Sequence, residues 1–390
     1  MRTPIFSLCF LALAVACSAH AATWRVEKDG SGNFTIIQDA LDAAADGDTV
    51  LVGAGRFDAF RPHEPAVNGF QLQIIMMVRK DLVIQGAGRD STIIGPEEVV
   101  FEIDGRSTGC MFVDQGAEST IRGFHFENGR GFVALTSKCV FEDNRIDSRG
   151  QLPASAANLS IGFTGGQVIR NCEFVGPNAH ISIADNGVPD VTIEDSIFIG
   201  TDDDALGVVI RGASFGTVVQ RCVFRDVVVG VSFTFGGQGE VVDCDIDATP
   251  RGVGVEVDTG TGVVRNCIIR PTRQPLSCSF GRLEVYDSII AGGEAFEGPG
   301  YTINAGSDVF VRNSHIGRGE TATVQAILQP GEVVDVRENW WFTTDAAEIE
   351  AKFERASCCP DGVILFEPFA SGPVSGEAES MGSFKSRFRN

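Results

Sequence analysis

From residue 121 onward the chain repeats one short phrase: IRGFHF, FEDNRI, IRNCEF, IEDSIF, VQRCVF, VVDCDI, VRNCII, VYDSII and VRNSHI. The last residue of each phrase is an anchor, giving Phe126, Ile146, Phe174, Phe198, Phe224, Ile246, Ile269, Ile290 and Ile316, 20 to 28 residues apart. Five residues before every anchor stands another apolar residue, from Ile121 and Phe141 to Val285 and Val311. Two before it, from the third phrase on, stands a small residue: Cys172, Ser196, Cys222, Cys244, Cys267, Ser288 or Ser314. Self-similarity at such a period implies a solenoid, in which each unit buries its apolar side only against its neighbours. The units are rich in β-branched and aromatic residues, punctuated by Gly, Asn and Asp, and too short for amphipathic helices. The expected fold is therefore all-β: a parallel solenoid of about a dozen coils from Thr49 to Trp341, roughly 60 Å long at the usual strand spacing.

A solenoid needs covers at both ends, because open strand edges invite association. FTIIQDALDAAADGD supplies a front helix, with Thr35 and Gln38 as a capping-box pair and Ile37, Ala40, Leu41 and Ala44 on one face. TTDAAEIEAKFERA supplies a rear helix capped by Asp345 and Glu348. Trp340 and Trp341 fall in the closing phrase and are expected to pack the end coil. The expected divisions are a signal peptide at 1–21, the solenoid at 22–369 and a tail at 370–390 that lacks an apolar pattern and reads as disordered.

The apolar run near Met1, followed by SAHA, fits a cleaved secretory signal; it is too short to span a bilayer. Secreted, periplasmic or extracellular placement is thus expected, with lipid anchoring through Cys17 the disfavoured alternative. Without residues 1–21 the chain has 30 basic and 52 acidic residues, a formal charge of −22. Such a surface repels nucleic acid and anionic lipid, and disfavours a polyuronate unless a basic groove or bridging Ca²⁺ intervenes. No membrane span is expected, and a monomer is. The small-residue column explains Cys172, Cys222, Cys244 and Cys267 as packing rather than metal binding, since neither CxxC nor clustered His accompanies it. The pairing of Cys358 and Cys359 is left open.

These residues carry a resemblance. VEKDGSGNFTIIQDALDAAADGDTVLVGAGRF resembles the opening of pectinesterases; LVIQGAGRDSTII and NWWFTTDAAEIEAKF through VILFEPF are similar to other segments of the pectin-lyase-like superfamily. The resemblance implies a right-handed parallel β-helix. It leaves function open among lyases, hydrolases, esterases, epimerases and noncatalytic adhesins. The pectinesterase phrases resembling QDTL and DFIFG do not occur. GTDDDALGV is similar to a polygalacturonase phrase, which would make Asp203 and Asp204 a catalytic pair, although the companion histidine, arginine and lysine phrases are missing.

Counting residues past each anchor brings His180 beside Asp204 and puts Arg251 in the same column, so Asp203, Asp204, His180 and Arg251 form the candidate acid/base set. Asp202, Asp203 and Asp204 could instead bind Ca²⁺, the one cofactor considered, though the spacing of a dedicated loop is lacking. A solvated turn is the third reading. Leu206, Val208 and Ile210 read best as inward, which suggests a one-residue slip of this register. His63, in the RPHEP connection, either lies idle on the surface or lines a groove. The expected role is binding or processing of an extracellular polysaccharide or cell-surface glycan along an outer face. The alternative is a noncatalytic adhesion solenoid.

Overall fold

The computed structural model describes residues 21–374 except 68–69, 115, 129–132, 149–156, 163, 184–189, 203, 213, 271–272, 292–300, 318–323 and 356–361. Residues 1–20, Asp203, Cys358, Cys359 and 375–390 thus lie outside the described residues, and with them most of the expected signal peptide and tail.

Every coil contributes one strand to a 14-stranded ladder running from Thr23–Val26 to Val363–Leu365. It then turns and contributes the anchor strand and a third strand to a second, larger sheet. Apart from two short antiparallel pairings near the front, neighbouring strands are parallel, as stacked coils require. Fourteen strands at about 4.8 Å span about 60 Å.

The anchors form one interior column: Phe126 pairs with Ile146, Ile146 with Phe174, Phe174 with Phe198 and Phe198 with Phe224. Phe174, Phe198 and Phe224 are fully buried and stack with centroids 4.9 and 4.7 Å apart. Each anchor removed from water contributes about 1.5–3 kcal/mol.

The turn before each anchor explains the Asn and Asp of the phrase. Three residues before the anchors, Asp143, Asn171, Asp195, Asp243, Asn266, Asp287 and Asn313 have φ between 50° and 55°, and Gly123 has φ 77°. This left-handed conformation admits Gly, Asn and Asp most readily. Arg221 is the exception at φ 52°. Its guanidinium is fixed by both oxygens of Asp195 (2.9 and 2.8 Å) and by Glu194 (2.6 Å), the Asp195 bonds first among the causes that raise its proton affinity.

The next residue points inward and serves the bend. Ser196 Oγ accepts the Cys172 amide of the preceding coil (3.2 Å) and donates to the Glu194 carbonyl (2.8 Å). Ser288 and Ser314 repeat this arrangement, and Asn144 and Asn339 perform it with side-chain amides. Backbone groups turned away from the ladder are thereby satisfied inside the coil. The seven described cysteines are all buried, and burial pushes the Cys139, Cys172 and Cys278 thiols up to about 12. That environment suits packing, not thiolate chemistry.

The front helix α1, Ile37–Ala43, buries Ile37, Ala40 and Leu41 as expected, but Thr35 and Gln38 form no capping box. Gln38 instead accepts from the Met77 amide (2.8 Å) and donates to its carbonyl (3.3 Å) and to Asp42 (2.8 Å). The buried backbone under the helix takes the side chain that the helix terminus would have used. At the rear, α2 spans Ala346–Glu350, and Asp345 caps it by accepting from the Ala347 and Glu348 amides. Glu348 reaches Thr343 Oγ1 (2.6 Å) rather than back to Asp345. Trp341 is buried against Phe353, and Trp340 continues the last coil by pairing with His315.

The RPHEP connection is a hairpin, Arg61–Val67 against Phe70–Val78, with His63 opposite Leu72. His63 is buried, so it is not an idle surface residue. Desolvation and the nearby Arg79 and Arg61 charges lower its proton affinity.

Candidate functional site

Because side chains alternate along a strand, residues immediately before and after each inward anchor face outward. In most coils these two columns are apolar or mixed. In the coils of Phe126 and Ile146 they hold His125, Glu127, Arg145 and Asp147, with Glu173 following in the next coil. His125 pairs with Arg145 and Glu127 with Asp147 across neighbouring strands, and Arg145 pairs with Glu173.

Here the acids are mostly enclosed: the Glu127 and Asp147 side chains are 5% and 9% exposed. His125 Nε2 lies 3.8 Å from Glu127 Oε2 and 3.9 Å from Asp147 Oδ2. Each acid also faces a guanidinium. Arg56 pairs with Glu127, and donates to the Gly95 and Pro96 carbonyls at 2.8 and 3.0 Å. Arg145 lies between Asp147 (3.3 Å) and Glu173 (3.4 Å). A small cleft of about 10 Å³, lined in part by Cys110, Glu127, Asn128, Val133 and Asp147, lies beside the acids. This is small for a ligand pocket, which usually encloses about 300–1,000 Å³. It suits entry of a hydroxyl or a water, not a whole sugar ring.

Two carboxylates on strands about 4.8 Å apart would repel each other if left alone. The two guanidiniums offset that repulsion, and the imidazole lies within ion-pair distance of both acids. Donor and acceptor are thus held together in a poorly solvated place, the requirement for general acid–base chemistry. Among the described residues no group of three or more His, Cys, Asp or Glu side chains is arranged to hold a metal ion.

The sequence-based candidates are placed differently. Phe174 pairs with Phe198 and Ile181 with Val208, so the later coil holds three extra residues at this corner, not one. The insertion is the acidic turn itself. Asp202 is half-buried and accepts the Asp204 amide at 3.0 Å; Asp204 is exposed, and Asp203 lies outside the described residues. Val208 and Ile210 point inward as expected, whereas Leu206 is only half-buried.

His180 does not stand beside Asp204. It is fully buried beside the stacked Phe174 and Phe198 rings, centroids 6.4 and 6.1 Å away, with Nδ1 3.1 Å from Asn158 Nδ2. Burial pushes its pKa down to about 3. Arg251 is exposed, in a bulge opposite Val228, whose amide donates to the Ala205 carbonyl (2.6 Å). The acidic turn and Arg251 therefore share one corner, two coils apart, without His180. Counting from anchors failed here because corners absorb insertions while strands keep register.

The family described as right handed beta helix region matches residues 158–276. The chain is a right-handed parallel β-helix. Solved structures similar to it include a rhamnogalacturonan lyase (TM-score 0.48, 12% identity, 83% of this chain and 89% of that one). The periplasmic alginate epimerase AlgG gives 0.47 and 9%, over 82% and 76%. A pectate lyase from Paenibacillus sp. 0602 gives 0.41 and 12%, over 72% and 80%. No curated protein matches the chain in sequence. Likeness at this level bears on neither activity nor substrate, so the β-helix is read from its own residues.

Proposed function

We propose that this β-helix is an exported protein that binds an extracellular polysaccharide along the outer face of its anchor strands and cleaves it by acid–base chemistry. The observation that carries the reading is the convergence of Glu127, Asp147 and His125 from adjacent coils, enclosed and flanked by Arg56 and Arg145. A carboxylate takes a proton from a water whose oxygen bonds to the anomeric carbon, the protonated imidazole gives its proton to the leaving oxygen as the glycosidic C–O bond breaks, and the proton on the acid then recharges the imidazole. The regular face, about 60 Å long, fits an extended polymer better than a compact metabolite.

The test is a panel of polysaccharides assayed for new reducing ends and, separately, for the ultraviolet absorbance of an unsaturated product. The panel includes rhamnogalacturonan, alginate and pectate together with neutral glucans, xylans and mannans. Cleavage of one polymer by the parent and its loss in His125→Ala supports the reading. Equal product release by both, or none from any polymer, contradicts it.

A further inference from the structure

Further along the same two outward columns, polar residues gather again. Asp245 precedes the Ile246 anchor; Arg225, Asp247 and Arg270 follow the anchors of three successive coils. Asp245 is buried and accepts from Arg225 Nη2 (2.7 Å), Arg270 Nη2 (3.0 Å) and Arg270 Nε (3.0 Å). Arg270 Nε also lies 3.9 Å from Asp247 Oδ2. Asp247, Arg225 and Arg270 remain 44%, 35% and 34% exposed. Between this cluster and the Glu127–Asp147 pair the columns are apolar, through Val175, Ile197, Ile199 and Val223.

We propose that Asp247, Arg225 and Arg270 form a sugar subsite that takes the neighbouring hydroxyls of a neutral pyranose, with the ring's apolar face on the half-buried Ile197 and Ile199. The inference rests on the reading of this face as a polysaccharide-binding one. Three observations support it. Asp245 fixes both guanidiniums from below, so their partly exposed edges are oriented donors beside a carboxyl acceptor, the pairing that two adjacent hydroxyls require. The two acids balance the two guanidiniums, so an anionic sugar would have to displace an existing partner. The adjoining apolar strip offers a surface for ring carbons. Asp147 and Asp247 are four coils apart, about 19 Å along the axis, so a ligand touching both must be an oligomer.

Calorimetric titration of the full chain with cello-, xylo- and manno-pentaose, and with a galacturonate oligomer for comparison, tests the subsite. At least one neutral pentaose should bind the parent. Asp247→Leu should weaken it about tenfold or more, and Asp247→Asn, which keeps a donor and an acceptor, should stay within a few-fold of the parent. Asp204→Asn, at the exposed corner outside both clusters, should bind like the parent. Unchanged affinity in Asp247→Leu with an unchanged melting curve overturns the subsite, as does binding of the galacturonate alone or of no oligomer. If Asp247→Leu melts early, loss of affinity in Asp247→Asn comparable to that in Asp247→Leu overturns the hydrogen-bonding role. Cleavage assays on Glu127→Gln report on the catalytic reading separately, so either claim can fail without the other.

Discussion

The buried imidazole of His180 makes a quantitative prediction about acid. In the unfolded chain it titrates near its ordinary value of 6.5, whereas in the fold burial among Phe174 and Phe198 pushes it down to about 3. A lowered folded pKa on a base means that the unfolded chain binds the extra proton as pH falls. Stability is therefore complete above about pH 6.5 and declines until about pH 3. At one pKa unit per about 1.4 kcal/mol, acidifying to about pH 4.5 costs about 2–3 kcal/mol through this residue. His180→Leu keeps an apolar core but leaves the Asn158 amide without its partner, a loss of about 1–3 kcal/mol that does not vary with pH. Urea denaturation of both proteins at a series of pH values separates the effects. The variant should start less stable at neutral pH and lose about 2–3 kcal/mol less between about pH 6.5 and 4.5. Parallel curves would refute the claim that His180 is buried uncharged.

Three further perturbations address the ladder, the subsite and the acidic turn. Phe224→Ala, which deletes one of three stacked rings, should cost about 3–5 kcal/mol in denaturant unfolding; a loss below 1 kcal/mol would mean the rings do not form a packed column. Asp247 holds its proton above the usual range chiefly through burial, so the fold loses stability as pH rises from 3.8 through its raised pKa. Asp247→Asn should therefore melt higher than the parent at neutral pH and lose that advantage below pH 3.8, and an equal difference at both pH values would contradict the sign. Changing Asp202, Asp203 and Asp204 together to Asn should leave melting and turnover as in the parent, with or without Ca²⁺. A Ca²⁺-dependent rise in the parent that the triple variant lacks would place a hard cation at that corner.

The ladder was legible because burial repeats in sequence wherever it repeats in space: Phe174, Phe198 and Phe224 are a pattern before they are a stack. The Asn and Asp before most anchors were visible too, though only the φ values at Asp143, Asn171 and their successors show what they are for. The site was harder to read because outward residues flanking an anchor look like ordinary solvent-facing strand positions. A signal was nevertheless present: reading one residue before and after every anchor isolates His125, Glu127, Arg145 and Asp147 in one place and Arg225, Asp245, Asp247 and Arg270 in another. The acidic run attracted attention by composition, yet its three extra residues are what carried it out of register with His180.

The central claim is that Glu127 and Asp147 act as one acid–base unit, and kcat/KM on the polymer the parent cleaves is its most direct test. Glu127→Gln and Asp147→Asn each keep size while removing a charge, and each should lower kcat/KM by about 10²-fold or more with the fold intact. The double variant should lose little more than the worse single one, as groups acting together do. Parent-like rates in both single variants, each with a cooperative melting transition, would contradict the account and leave the cluster a structural ion-pair network.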